Sequence, residues 1–165
     1  MENFGVGDKV VYPSHGVGEI VGIENQKIAD LSVSMYLISF PQDKMTIKIP
    51  TGKAVQSGLR NLCKRSKIDD VYAIMQKKPK RNSKMWSRRA QEYESKINSG
   101  DLLSIAEVVR DLYKNVESDC SYSERSIYEI AINRLASEIS ILENSPEQEI
   151  ILKLTELLRD TMDAA

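Results

Sequence analysis

The sequence predicts an α+β chain, a small β-module followed by an all-α bundle of four or five helices. Two observations carry this. Over roughly the first 60 positions, Gly and Pro punctuate short runs of β-branched residues, which is strand-and-turn patterning. Beyond them, apolar residues recur at helical spacing between capping residues. The expected division is residues 1–60 as a β-domain and 61–165 as a helical domain.

In the first part, Gly7-Asp8 is a turn before the short strand Lys9-Val10-Val11-Tyr12, and Pro13 to Gly16 makes a second turn. Val17 to Ile23 alternates loosely and reads as a strand. Glu24 to Ser34 reads as a loop or hairpin tip, and Met35-Tyr36-Leu37-Ile38-Ser39-Phe40 as a buried strand. Pro41 to Lys44 turns again, and Met45-Thr46-Ile47-Lys48-Ile49-Pro50 alternates, with Lys48 between two isoleucines. Short strands at this spacing build a small barrel or rolled sheet.

In the second part, Asp69 to Gln76 is a short helix that Pro79 stops. Ser83 can N-cap a helix running to Asn98, with Gly100 just past its end. Asp101 can cap the next, whose positions Leu102, Ile105, Ala106, Val109, Leu112, Tyr113 and Val116 keep a 3.6-residue period. Ser121 with Glu124 is a capping box before Ile127, Ala131, Leu135, Ile139 and Leu142. Ser145-Pro146-Glu147-Gln148 starts a last helix carrying Ile150, Ile151, Leu154, Leu157 and Leu158.

Composition narrows the function classes. No apolar run reaches the roughly 18 residues a membrane span needs. The opening Met-Glu-Asn-Phe-Gly-Val-Gly-Asp has neither a basic nor an apolar leader region, so no signal peptide is expected. Cys63 and Cys120 are isolated thiols without metal-ligand spacing, as in reduced cytoplasmic proteins. His15, the only histidine, lies in a Pro-Ser-His-Gly turn and reads as a solvated or hydrogen-bonded turn residue. With one His and two distant Cys, neither zinc nor a Cys-His pair is supported. The glycines at 5, 7, 16, 18 and 22 fit neither a P-loop nor a dinucleotide fingerprint. The expectation is no enzyme, no catalytic residue, no metal and no cofactor.

Charge is sharply segregated. Residues 1–59 hold 5 Lys+Arg against 6 Asp+Glu, residues 60–96 hold 12 against 4, and residues 97–165 hold 6 against 14. A net charge of −1 thus hides a strongly basic centre beside an acidic tail, and points to an anionic partner for the centre. Between Gln76 and Ala90 lie Lys77, Lys78, Lys80, Arg81, Lys84, Arg88 and Arg89, with no acidic residue among them. Nucleic-acid phosphate matches such a band, because binding releases condensed counterions; a solvated linker is the alternative. Trp86, the only tryptophan, stands in the first turn of the helix that continues the band. Trp86, Ala90, Tyr93 and Ile97 share one helical face, so the ring can cap the core. It can equally be a partly exposed wedge that meets unstacked bases. Spacing alone does not choose.

Gly7-Asp8-Lys9-Val10-Val11-Tyr12-Pro13-Ser14-His15-Gly16-Val17-Gly18 resembles the opening of the RNA-polymerase-interacting domain shared by CarD proteins and the transcription-repair coupling factor. Thr46-Ile47-Lys48-Ile49-Pro50 resembles that domain's later strand. Trp86-Ser87-Arg88-Arg89, then Ser99-Gly100-Asp101 and Ala106-Glu107-Val108-Val109-Arg110-Asp111-Leu112, is similar to the CarD helical domain. The likeness runs in order over nearly the whole chain. It implies a bacterial transcription regulator with a Tudor-like (SH3-like) N-terminal barrel and about five helices. It implies docking on the protrusion (first lobe) of the polymerase β subunit through Lys48, Ile47, Ile49 and Gln26. It implies a helical domain at the upstream fork of the promoter bubble, where the family's tryptophan, matching Trp86, enters the minor groove and opposes bubble collapse. Arg88, Arg89, Lys84, Arg81 and Lys80 would hold phosphates there.

Two departures stand out. One of two basic positions at the family's polymerase contact is Gln26 here, and the position two after Arg89, often basic in relatives, is Gln91. Polymerase contact would then rest on strand pairing and Lys48, and the extra Lys77-Lys78-Pro79-Lys80-Arg81 would compensate on the DNA side. A cytoplasmic protein is expected, drawn to the nucleoid through polymerase, and a monomer in the sense that nothing in the sequence calls for an obligate dimer. The alternatives are a protein–protein adaptor with no direct DNA role, and a free-standing DNA binder.

Overall fold

The computed structural model describes residues 4–41, 43–80, 85–118 and 120–163. Contacts divide the chain into two units, Met1–Leu62 and Cys63–Ala165. The first holds an antiparallel sheet and the second five helices among the described residues, the α+β class expected.

The sheet is built from β1 (Lys9–Tyr12), β2 (Gly16–Ile28), β3 (Leu31–Phe40), β4 (Met45–Pro50) and β5 (Arg60–Asn61), in the order β4-β3-β2-β1-β5. β4 and β5 are therefore its edges. One face buries Val10, Ile20, Tyr36, Ile38, Phe40 and Ile49, with Phe4, Ala54 and Leu59 folded over them. Phe4 meets Tyr36 edge-to-face at 5.9 Å. Gly18 is required by this core: a Cβ there would lie 2.7 Å from Phe40 Cε1 and 2.9 Å from Ile38 Cγ2. His15 is the turn residue the sequence suggests, stacked on Tyr12 at 5.7 Å with Nδ1 3.5 Å from Asp43 Oδ2.

One expectation needs correcting. Glu24 to Ser34 is not a loop: β2 runs on to Ile28 and β3 begins at Leu31, so only Ala29 and Asp30 turn, at φ 51° and 65°. Two residues with positive φ are what a tight hairpin of right-handed twist demands. The sequence conceals it because neither residue is glycine and because this part of the ladder is exposed. Across it Ser34 Oγ donates to Asn25 Oδ1 at 2.7 Å, and the alternating Leu31-Ser32-Val33-Ser34-Met35 of β3 is the strand signal that a loop assignment passes over. A bulge between Ile20 and Gly22 turns Val21 outward.

The helices are α1 (Ser66–Met75), α2 (Trp86–Asn98), α3 (Leu102–Glu117), α4 (Tyr122–Glu143) and α5 (Glu147–Asp163). α1 starts three residues before the expected Asp69. α2 starts at Trp86 with Met85 as its cap residue and no side-chain cap; the expected cap, Ser83, lies outside the described residues. The other two caps form as read: Asp101 Oδ2 accepts from the Ser104 N–H at 3.2 Å, and Ser121 Oγ from the Glu124 N–H at 3.2 Å. The core draws on every helix, with Val71 and Met75 of α1, Tyr93 and Ile97 of α2, and Leu112, Leu135 and Leu154 of the next three. α4 is buried on nearly all sides over 135–140, and its Glu138, 2% exposed, accepts from the Cys63 N–H at 2.8 Å. Among the described residues no helix is long and apolar enough to cross a membrane.

Gly18→Ala tests the packing of the sheet. Forcing a methyl group against Phe40 and Ile38 should cost about 1–3 kcal/mol, read as a lower denaturation midpoint with an unchanged slope. An unchanged midpoint would mean that the core yields freely there.

Candidate nucleic-acid interface

The basic band begins where α1 ends. Gln76 closes that helix, and Lys77, Lys78, Pro79 and Lys80 follow as an exposed, non-helical stretch. Pro79 can neither donate a backbone hydrogen bond nor continue a helix, and the three lysines around it gain by staying solvated. The stretch is nonetheless fastened: the Lys80 N–H donates to Asp111 Oδ1 at 3.0 Å. Arg81 and Lys84, both expected phosphate contacts, lie outside the described residues.

α2 then opens on Trp86. No acidic residue stands in its first turn, so the positive end of the helix dipole adds to the cations there. Trp86 is half-buried and packs against the helical core, 6.3 Å from the Tyr93 ring at an interplanar angle of 48°. Arg89 is one helical turn on, its Cζ 5.4 Å from the Trp86 ring centre and 5.9 Å from that of Tyr93, with Nη2 3.5 Å from Tyr93 Oη. The guanidinium thus lies against two aromatic rings, which orients the indole and keeps a charge beside it. The ring packs on the core and stays partly exposed to solvent. Met85, just before it, is 75% exposed, and Arg88 is exposed on the outer face of α2.

α2 is held at its other end too. Lys96 Nζ pairs with Glu107 of α3 at 2.9 Å, and Arg134 Nη1 of α4 donates to the Ile97 carbonyl at 3.3 Å. The Lys96 ammonium, opposed by partial burial and helped by the charges of Arg110 and Lys80, holds the Glu107 carboxyl below its ordinary range. The carboxylate is therefore charged at neutral pH and returns to proton binding only in acid.

Sequence reasoning did not single out the pair on α3 that organises this surface. Arg110 Nε donates to Asp111 Oδ1 at 2.9 Å, and both side chains are more than nine-tenths buried. A buried arginine at a position that keeps the apolar period of α3 leaves no signal in a hydropathy pattern; only its place in the Val-Val-Arg-Asp-Leu motif marks it.

The residues expected at the other site sit on the sheet. Lys48 projects from β4 to the face opposite the core and pairs with Glu24 of β2, Nζ to Oε2 3.2 Å, with each side chain about half exposed. Gln26, two residues beyond Glu24, shares that face by strand alternation. Half-buried Leu37 and Met35 lie between, opposite Lys48 and Glu24 in register. Ile47 and Ile49 point the other way. Ile49 is 5% exposed and belongs to the sheet's own core, so what β4 offers a partner at that position is backbone rather than side chain. Among the described residues no three His, Cys, Asp or Glu side chains come together as a metal site, and Cys63 and Cys120 form no disulfide.

Two family profiles match the chain: one described as "CarD-like/TRCF RID domain" over residues 4–63, and one described as "CarD, C-terminal domain" over residues 70–155. YdeB of Bacillus subtilis (strain 168), described as a candidate transcription factor, is 30% identical over 148 residues, covering 89% of this chain and 97% of YdeB. The solution structure of the 72-residue N-terminal domain of Myxococcus xanthus CarD is 29% identical, covering 36% of this chain and 79% of that one, at a TM-score of 0.31.

Removing one carboxylate should expose how much this surface depends on it. Asp111→Ala strands the buried Arg110 charge and should cost about 3 kcal/mol or more, measured by denaturant unfolding. A loss below about 1 kcal/mol would mean that Arg110 turns out to water without penalty.

Proposed function

The chain belongs to the CarD family, and from that premise we propose that it regulates transcription by docking on RNA polymerase and steadying promoter DNA in its opened form. In this reading the sheet unit contacts the β subunit, at its protrusion or first lobe. The helical unit contacts DNA at the upstream edge of the bubble.

The observation that carries the DNA half is Trp86: an indole half out of the core, at a helix N-terminus, with a guanidinium held against it and cations on both sides in sequence. Phosphate contacts from Lys80, Arg88 and Arg89, and from Arg81 and Lys84, would set register along the backbone without reading sequence. An apolar ring inserted between base steps must overcome unstacking, on the order of a few kcal/mol. DNA at the edge of a melted region has already met most of that cost. A wedge of this kind therefore favours open over closed promoter and reads shape more than bases, which leaves the choice of promoter to the polymerase.

The polymerase half is supported by the β4 edge, whose outer row of backbone groups has no partner strand within the sheet. Strand addition uses such an edge, with main-chain hydrogen bonds giving affinity and flanking side chains specificity. Lys48 is the cation beside that edge, and a partner carboxylate would compete with Glu24 for it. Docking raises the local concentration of the basic surface near the promoter to roughly the millimolar range, so a small DNA footprint suffices. It would also bring the protein to the nucleoid.

Two variants test the two halves separately. Trp86→Ala should shorten the lifetime of open promoter complexes about tenfold, the equivalent of about 1.4 kcal/mol, with binding to polymerase retained. An unchanged lifetime would favour an adaptor without a DNA role. Lys48→Glu should weaken binding to a β-subunit lobe fragment about tenfold or more, with Lys48→Ala intermediate, since the reversal also sets two carboxylates together beside Glu24. Equal affinity in all three proteins would remove Lys48 from the interface.

A further inference from the structure

On the helical unit a solvent-open cavity of about 670 Å3 lies between the ends of α1 and α5 and the last two turns of α3. That is within the size range of small-molecule sites. Its wall carries Lys77, Lys78, Lys80, Arg89, Arg110 and Lys114, against the single carboxylate of Asp111. The helix ends of α1 and α5 turn their negative dipole poles this way, on the order of half a charge each. The side-chain charge exceeds them several-fold.

Two of these cations are incompletely satisfied among the described residues. Arg110 is 5% exposed, and its Nη2 has no hydrogen-bond partner there; nor has Nε of Arg89. Buried guanidinium N–H groups are costly to leave unpaired, and the group that answers them is an acceptor with negative charge. The one carboxylate in the wall, Asp111, takes Arg110 Nε and the Lys80 N–H on its Oδ1 and bonds neither of these two unpaired groups. Much of the remaining lining is apolar, with Met75, Tyr113, Leu158 and Met162, beside the polar Asn115 and Thr161. Bare phosphate would leave that part uncovered. A flat ring joined to a phosphate chain would cover it, and methionines suit such a surface by their pliability.

We propose that this cavity binds a phosphorylated small molecule of the nucleotide class. Its phosphates would sit among Arg110, Arg89 and Lys114, and its base against the methionines. The proposal does not depend on the DNA reading of Trp86, but it supplies a reporter: Arg89 borders both the cavity and the indole ring, so occupancy should alter the emission of the only tryptophan.

The test is titration of the full chain at moderate salt with three probes, ATP, inorganic tripolyphosphate and adenosine, read by calorimetry and by Trp86 emission. ATP should bind saturably at one site, tripolyphosphate about tenfold more weakly, and adenosine more weakly still. Lys114→Gln and Lys78→Gln, both at exposed positions, should each weaken ATP binding severalfold without changing the melting curve. Arg110→Met should weaken it at least tenfold where it folds. Failure of ATP to saturate at millimolar concentration would overturn the proposal, as would unchanged affinity in both lysine variants. Tripolyphosphate binding as tightly as ATP would overturn the nucleotide assignment and leave a site for phosphate alone, such as a DNA backbone supplies.

Discussion

A carboxylate in the middle of a field of cations organises the helical unit. Asp111 receives Arg110 Nε and the Lys80 backbone N–H on one oxygen, so a buried arginine and the exposed basic stretch are anchored at the same point of α3. Like charges brought together repel, and a run such as Lys77 to Lys80 would otherwise be free to spread into solvent. One buried acid turns that run into a surface of fixed position. The ion pair need not add net stability, since desolvating two charges offsets much of their attraction. What it adds is placement, which an apolar pair of equal volume would not give.

Arg89 extends this arrangement to Trp86. The ring is neither a core residue nor a free one: α2 holds it by contact with Tyr93 and Arg89, and α2 is in turn held by Lys96 on Glu107 and by Arg134 on the Ile97 carbonyl. A side chain fixed on one side and open on the other loses little rotamer freedom when it binds. Preorganisation of that kind lowers the cost of association. It suits the proposed wedge, which would act through one ring and a few charges.

The sheet unit shows the same economy by other means. Its core is small and tight, to the point that Gly18 has no room for a methyl group, while its outer face carries Lys48, Glu24 and Gln26 over half-buried Leu37 and Met35. Lys48 is partly neutralised by Glu24 within the unit. Any partner that uses this lysine gains the difference between two ion pairs rather than the whole of one, which favours backbone pairing along β4 as the larger contribution.

Much of this was legible without coordinates. Caps, helical periods and Gly/Pro punctuation depend on neighbours in sequence, so Asp101, Ser121 and the division between strand and helix could be read directly. The central cations and the singular tryptophan were equally plain. Three things were decided only in three dimensions. The β2–β3 hairpin is longer than expected, because its ladder is largely exposed and its turn, Ala29-Asp30, holds no glycine to mark it. Ile49 turns inward while Lys48 turns outward, a choice that alternation allows in either sense until the core is placed. Arg110 and Asp111 of α3 and Arg89 of the preceding helix meet at one cavity, and Arg89 joins it to the indole. Local propensity acts over a few residues, whereas burial of a charge is settled by whatever the tertiary fold brings beside it.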